Sequence, residues 1–224
     1  MNITSLISRA RRYSDDEVVP YYISDDEMCE YLTEAERVLA KEGELLRKLV
    51  YLQVQPEDQW VDMESAGSII EVRRATLVDP DTNQRYNLRT TGSMSAPPES
   101  GMVDGYSYAL KRPTSIAFGV TSTHAMLDAI PPKAYTIELM TISYPTDPIT
   151  LTSEEPEIPE KYHKYIPYGA AVFAMIGSEA EHFDSNRVAL VRAFWENGVV
   201  EAVAESNKLT RDAGTVQLVN DYWS

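Results

Sequence analysis

A chain of 224 residues and 25.2 kDa is long enough to bury a substantial core, as one domain or as two intimately joined ones. With 43% hydrophobic and 25% charged residues it is not a largely disordered polypeptide. Acids outnumber bases 35 to 20, a formal charge of −15, which disfavours a long-lived grip on nucleic acid phosphates. That charge serves either plain solubility or a surface past which DNA slides without sticking.

The first segment spaces Ile3, Leu6, Ile7 and Ala10 at three and four residues, so Ile3 to Tyr13 is read as a short amphipathic helix, broken by Asp15, Asp16 and Pro20. No apolar run there is long enough for a signal peptide, and nowhere do eighteen apolar residues follow one another, so no membrane association is expected. Ser24 followed by Glu27 is a capping box. Behind it Met28, Tyr31, Leu32, Ala35, Val38, Leu39, Leu45, Leu46 and Leu49 recur at helical steps, predicting one long helix to about Leu52, with Gly43 tolerated inside it and Pro56 as the stop. Cys29, the only cysteine, lies on that helix as a packed thiol, excludes an intrachain disulfide and fits a reducing assembly environment.

From Gln59 the apolar period becomes two. Ile70 and Val72 belong to one strand and Ile116, Phe118 and Val120 to another, and Pro80, Asp81 and Asn83 make the turn of a hairpin. Residues 91–108, rich in Gly, Ser and Pro, are expected to form an exposed loop. Ala134 to Tyr144 carries apolar residues on both faces, which predicts a central strand covered from two sides.

Pro145 to Pro159, with its prolines and acids, reads as an extended, stiff linker. A helix starts at Pro159 and either kinks or restarts at Pro167, and the small residues beyond allow close backbone approach. Asp184 or Ser185 caps a final helix with Val188, Val191, Phe194, Trp195, Val199, Ala202 and Val203 as its apolar stripe, ending near Asp212 with Gly214 as terminator. The resulting class is α+β: an antiparallel helical bundle from residues 1–55 and 156–213, an inserted antiparallel β-rich lobe at 56–155 bearing the exposed loop 91–108, and a C-terminal tail at 214–224.

Reactive constellations are not evident in the sequence. His124, His163 and His182 stand far apart, and His163 with Glu160 forms only half of a carboxylate and histidine motif. No Gly-x-Ser-x-Gly turn, P-loop or dinucleotide fingerprint occurs, so neither a catalytic residue, a metal nor a cofactor is expected. Tyrosine is unusually frequent, 14 against 4 phenylalanines, and suits surfaces where the ring packs while the hydroxyl meets water. Tyr31 and Tyr135 read as core. Tyr21, Tyr22, Tyr162, Tyr165 and Tyr168 are the candidates for a subunit interface.

Three stretches carry a family likeness: SLISRARRYSDDE running into SDDEMCEYLTEAERVL, the β-rich middle, and IELMTISYPTDPITLTSEEPEIPEKYHKYIPYGAAVFA with its Tyr162 and His163 pair. Together they resemble the head-to-tail adaptor, or connector, proteins of tailed bacteriophages, in particular the podovirus-type tail adaptors. The resemblance implies a non-enzymatic virion protein at the head-to-tail junction, assembled in the host cytoplasm. It implies a ring of copies of itself, typically twelve, bound to the portal protein on one side and to a tail nozzle or other tail protein on the other. DNA would pass transiently through an acidic channel, and twelve copies would carry roughly −180 charges. Related adaptors reach the portal with their C-terminal region, which points to Val216, Leu218, Tyr222 and Trp223, although the tail could equally pair with the sheet as an edge strand. A siphovirus-type head completion or connector protein is the alternative within the same class. A metal-dependent hydrolase using His163 and scattered carboxylates is the alternative outside it.

Overall fold

The computed structural model describes residues 1–92, 107–177 and 185–221. Asn2 opens α1 (Ile3–Ser14) by accepting the Ser5 amide at 2.9 Å, and Ile3, Leu6, Ile7 and Ala10 are all buried, as their spacing predicts. Ser24 opens α2 (Asp25–Glu42), its hydroxyl accepting the Glu27 amide at 3.2 Å. This helix stops ten residues before the expected end. Gly43 caps it, Glu44 turns the chain at φ +48°, and a Cβ on Gly43 would lie 2.7 Å from that of Ala202, so the close approach of the last helix requires glycine there.

After a short 3-10 turn at Glu160–Tyr162, α3 (Ile166–Gly177) begins afresh, with Pro167 in its first turn where no amide is needed. Gly169 sits where a Cβ would meet the Trp195 ring at 2.7 Å and the Ala35 Cβ at 2.8 Å, so α2 and the last helix close on α3 at its small residues. That last helix, α4 (Ser185–Asp221), continues through Gly214 instead of ending near Asp212. A glycine inside a helix costs only about 1 kcal/mol, and no proline follows to force a stop. The expected alternative of a C-terminal edge strand is thereby replaced by helix up to Asp221.

The linker is a second correction. Ile149 and Ile158 are buried, the Ile149 amide donates to Thr33 Oγ1 at 2.9 Å, and the Ile158 amide donates to Glu36 Oε1 at 3.2 Å. Glu157 folds it back by accepting the Thr146 and Asp147 amides at 2.6 and 3.1 Å. Two isoleucines among the acids and prolines are enough to pack the segment onto α2, because α2 supplies acceptors for the amides that packing desolvates.

Met1–Leu46 with Tyr144–Ser224 form one compact unit and Arg47–Ser143 the other. The second holds β1 (Arg47–Val54), β2 (Trp60–Asp62), β3 (Ile69–Val78), β4 (Arg85–Gly92), β5 (Ser107–Leu110), β6 (Ser115–Phe118), β7 (His124–Leu127), β8 (Ala129–Ile130) and β9 (Tyr135–Ser143). Seven strands form a sheet in the order β1-β9-β3-β4-β6-β7-β2, and β5 pairs with β8. β3 and β4 make the expected hairpin, with Asn83 at φ +55° in its turn. Pairing is antiparallel except for β4–β6 and β5–β8, which are parallel; the long connection from β4 to β6 leaves room for a crossover. Val54, Leu52, Leu77, Ile137 and Leu139 line the core face. β9 lies between β1 and β3, yet Met140 remains 42% exposed, so its second face is only partly covered. The expected loop 91–108 falls mostly outside the described residues.

Glu36 is 1% exposed, and burial pushes its carboxyl from an ordinary 4.5 up to about 7 against the opposing amide bonds from Ile158 and Glu157. Between those two values the folded chain holds a proton that the unfolded chain has lost. The contribution of Glu36 to stability therefore falls as pH rises from about 4.5 to 7, by about 3 kcal/mol. Urea unfolding of wild type and Glu36→Gln at pH 5 and pH 8 is expected to show that slope in the wild type only.

Candidate functional site

The turn joining α1 to α2 is held by an ion pair in the interior. Arg11 and Asp16 are both buried; Arg11 Nη1 donates to Asp16 Oδ2 at 2.5 Å and Nη2 to Asp25 Oδ1 at 2.6 Å. The guanidinium also lies 3.8 Å from the centre of the Tyr21 ring. Asp16 accepts the Tyr22 and Ile23 amides at 2.8 and 3.3 Å, and Ile23 plugs into the core. From outside, Arg187 of α4 donates to the carbonyls of Tyr13 and Arg12 at the end of α1 and pairs with Asp15 at 2.8 Å.

The consequence is a pinned turn with Val18 78%, Val19 73% and Tyr22 74% exposed. Burying a valine stabilises by about 1.5–3 kcal/mol, so a chain that spends a desolvated ion pair on holding two of them outward forgoes that gain. Contiguous apolar groups exposed on a fixed scaffold mark a contact surface. Sequence reasoning picked out Tyr21 and Tyr22 but missed Val18 and Val19; two adjacent β-branched residues in the acidic turn SDDEVVPYYIS were the available signal.

The other tyrosines sit elsewhere in the same unit. Tyr168 stacks on Tyr13 at 4.2 Å and on Phe194 at 5.3 Å, joining α1, α3 and α4. A hydrogen bond with Tyr13, then burial, pushes its hydroxyl up to about 12. Tyr165 is half-buried and donates to Glu201. Tyr162 is 1% exposed and donates to Glu205 Oε2 at 2.7 Å, so its ring leaves almost no surface for a neighbouring subunit. Val216 and Leu218 fall on the last turns of α4, and Tyr222 and Trp223 lie outside the described residues.

His163 is buried, with its Nε2–H donating to the Ile158 carbonyl at 2.7 Å and Nδ1 facing the Met1 amino group at 3.1 Å. Both ring nitrogens are thus engaged in packing the start of α3. Among the described residues, no three His, Cys, Asp or Glu side chains are grouped to hold a metal ion, and no helix is long and apolar enough to cross a membrane.

An α+β chain that holds an apolar turn outward on a rigid support has the features of an assembly protein. The family model described as SU10 adaptor protein matches residues 1–219, and the chain belongs to that family. It is therefore a phage head-to-tail adaptor, a structural component of the virion that contacts other head and tail proteins. The family is not a class of enzymes. No curated protein matches the sequence.

Removing one partner of the buried pair leaves a desolvated charge. Asp16→Asn is expected to cost about 3–5 kcal/mol in urea unfolding. Val18→Ser with Val19→Ser, altering only exposed side chains, should stay within about 0.5 kcal/mol of wild type per site.

Proposed function

We propose that the chain is one subunit of a closed ring of twelve copies between the portal and the tail nozzle, with the helical unit facing an acidic channel for DNA. The observation that carries this reading is the partition of charge. Met1–Leu46 with Tyr144–Ser224 hold 24 acids and 11 bases, a net −13, whereas Arg47–Ser143 hold 11 acids and 9 bases, a net −2. Charge kept for solubility alone would be shared by both units. Concentrated on one, it repels a passing polyanion.

In this arrangement the terminal segments act as a helical bundle and the sheet as an inserted lobe. Val18, Val19, Tyr21 and Tyr22 belong to the subunit interface, with Tyr165 and Tyr168 at its margin and Tyr162 supporting them from inside. Residues 214–224, with Val216, Leu218, Tyr222 and Trp223, reach the portal; aromatic and aliphatic anchors of that kind gain most from burial in a partner. Assembly takes place in the host cytoplasm.

The named contacts of α4 with the rest of the helical unit, from Arg187 to Ser206, precede residue 214, so deletion of 214–224 is expected to leave the fold intact. Attachment to purified portal, followed by native mass measurement, is expected to give a ring with the full chain and no bound subunits with the truncated one. A truncated chain that still docks would overturn the role of this segment.

A further inference from the structure

The helical unit contains a groove that the contacts above leave unused. It runs between α2 and the linker after β9, with a volume of about 630 Å³, and is lined by Asp26, Cys29, Glu30, Glu34, Pro148 and Ile149 among others. Its floor is apolar: Cys29 and Ile149 are buried there, and burial, then Asp26 and Asp25, pushes the Cys29 thiol up, which makes it a packing group rather than a nucleophile. Along the rim, Asp26, Glu30 and Glu34 follow one another at steps of four and are all exposed, and with Arg37 as the cation beside them the rim keeps an excess of negative charge. Like charges at that spacing repel one another along a helix, a repulsion that a cationic occupant would relieve.

The β unit carries a surface of the opposite kind. Strand register sets Leu49, Met140 and Arg74 side by side on β1, β9 and β3, and the period of two adds Arg47 and Tyr51 to the same face. Leu49 is 59% and Tyr51 56% exposed, and β1 is an edge strand that pairs with β9 alone among the described residues. The face is thus apolar at its centre and flanked by arginines, of which Arg74 also donates to Asn87 Oδ1 at 3.0 Å, and its Glu138 pairs with Arg85 at 2.5 Å.

We propose that this sheet face of one copy seats in the α2–linker groove of the next, with Leu49 and Tyr51 over the apolar floor and Arg47 and Arg74 toward the carboxylate rim. The inference rests on the ring reading. A ring closes through heterologous contacts, which require every chain to own two unlike, complementary patches. Here both patches lie on one chain, opposite in charge and alike in their apolar centres. The groove begins at the first turn of α2, where Asp26 lines it.

The test uses the full chain on purified portal, with the number of bound copies read by native mass measurement. Glu30→Lys with Glu34→Lys reverses the rim, and Arg47→Glu with Arg74→Glu reverses the sheet face; all four positions are exposed, and thermal unfolding checks that each variant folds. Each pair of changes alone is expected to abolish the complete ring, and a chain carrying all four to restore it, because reversed charges again meet their opposites. A complete ring from either two-site variant, or no recovery in the four-site chain, overturns the inference. Recovery would not occur if portal or a tail protein were the occupant of either patch. A wild-type chain that forms no ring on portal would sink the ring reading itself, an outcome distinct from rings that tolerate the reversals.

Discussion

Arg11 is a cation with almost no access to water, and the helical unit is arranged around making that tolerable. An isolated charge in such a place would be untenable, and the guanidinium is met by Asp16 at Nη1, by Asp25 at Nη2 and by the Tyr21 ring on its face. Asp16 in turn has its remaining capacity filled by the amides of Tyr22 and Ile23. The end of α1, the turn and the start of α2 are thus locked in one network, and the apolar residues of the turn are held outward because their backbone is committed elsewhere.

Around that network the packing is set by absence of side chain as much as by its presence. Gly43 and Gly169 stand where any Cβ would strike Ala202, Trp195 or Ala35, and alanines at 170, 171 and 174 lie buried on α3 beside Ile166, Val172 and Met175. Backbones brought this close leave little room for rearrangement. A rigid unit suits a protein whose work is to present surfaces. The buried Glu36 is the exception, an ionisable group that ties the linker to α2 through its carboxyl oxygen and keeps its proton to nearly neutral pH.

Adaptor function and charge partition support each other. Family membership makes the chain a structural link in the virion, and the excess of carboxylates on the helical unit is the feature on which the proposed passage of DNA rests. The open sheet face and the acidic groove are the two halves of the proposed contact between copies.

Much of this was legible before any coordinates. The spacing of Ile3, Leu6, Ile7 and Ala10, the Ser24 cap, the turn at Asn83 and the small residues of α3 depend on neighbours within a few positions, and local hydrogen bonding and sterics suffice to specify them. The stretch from Leu45 to Leu52 was different: Leu45, Leu46 and Leu49 satisfy a helical period while Val50, Leu52 and Val54 satisfy a period of two. The strand prevails because β9, some ninety residues later, offers a full register of partners. The same holds for the linker, which packs because Thr33 and Glu36 await its amides, and for the tyrosines, of which Tyr22 is left outside and Tyr162 enclosed. Sequence by itself determined the caps, periods, charge and family likeness, whereas tertiary structure alone decided which apolar faces stay uncovered, since burial is a property of distant segments meeting in space.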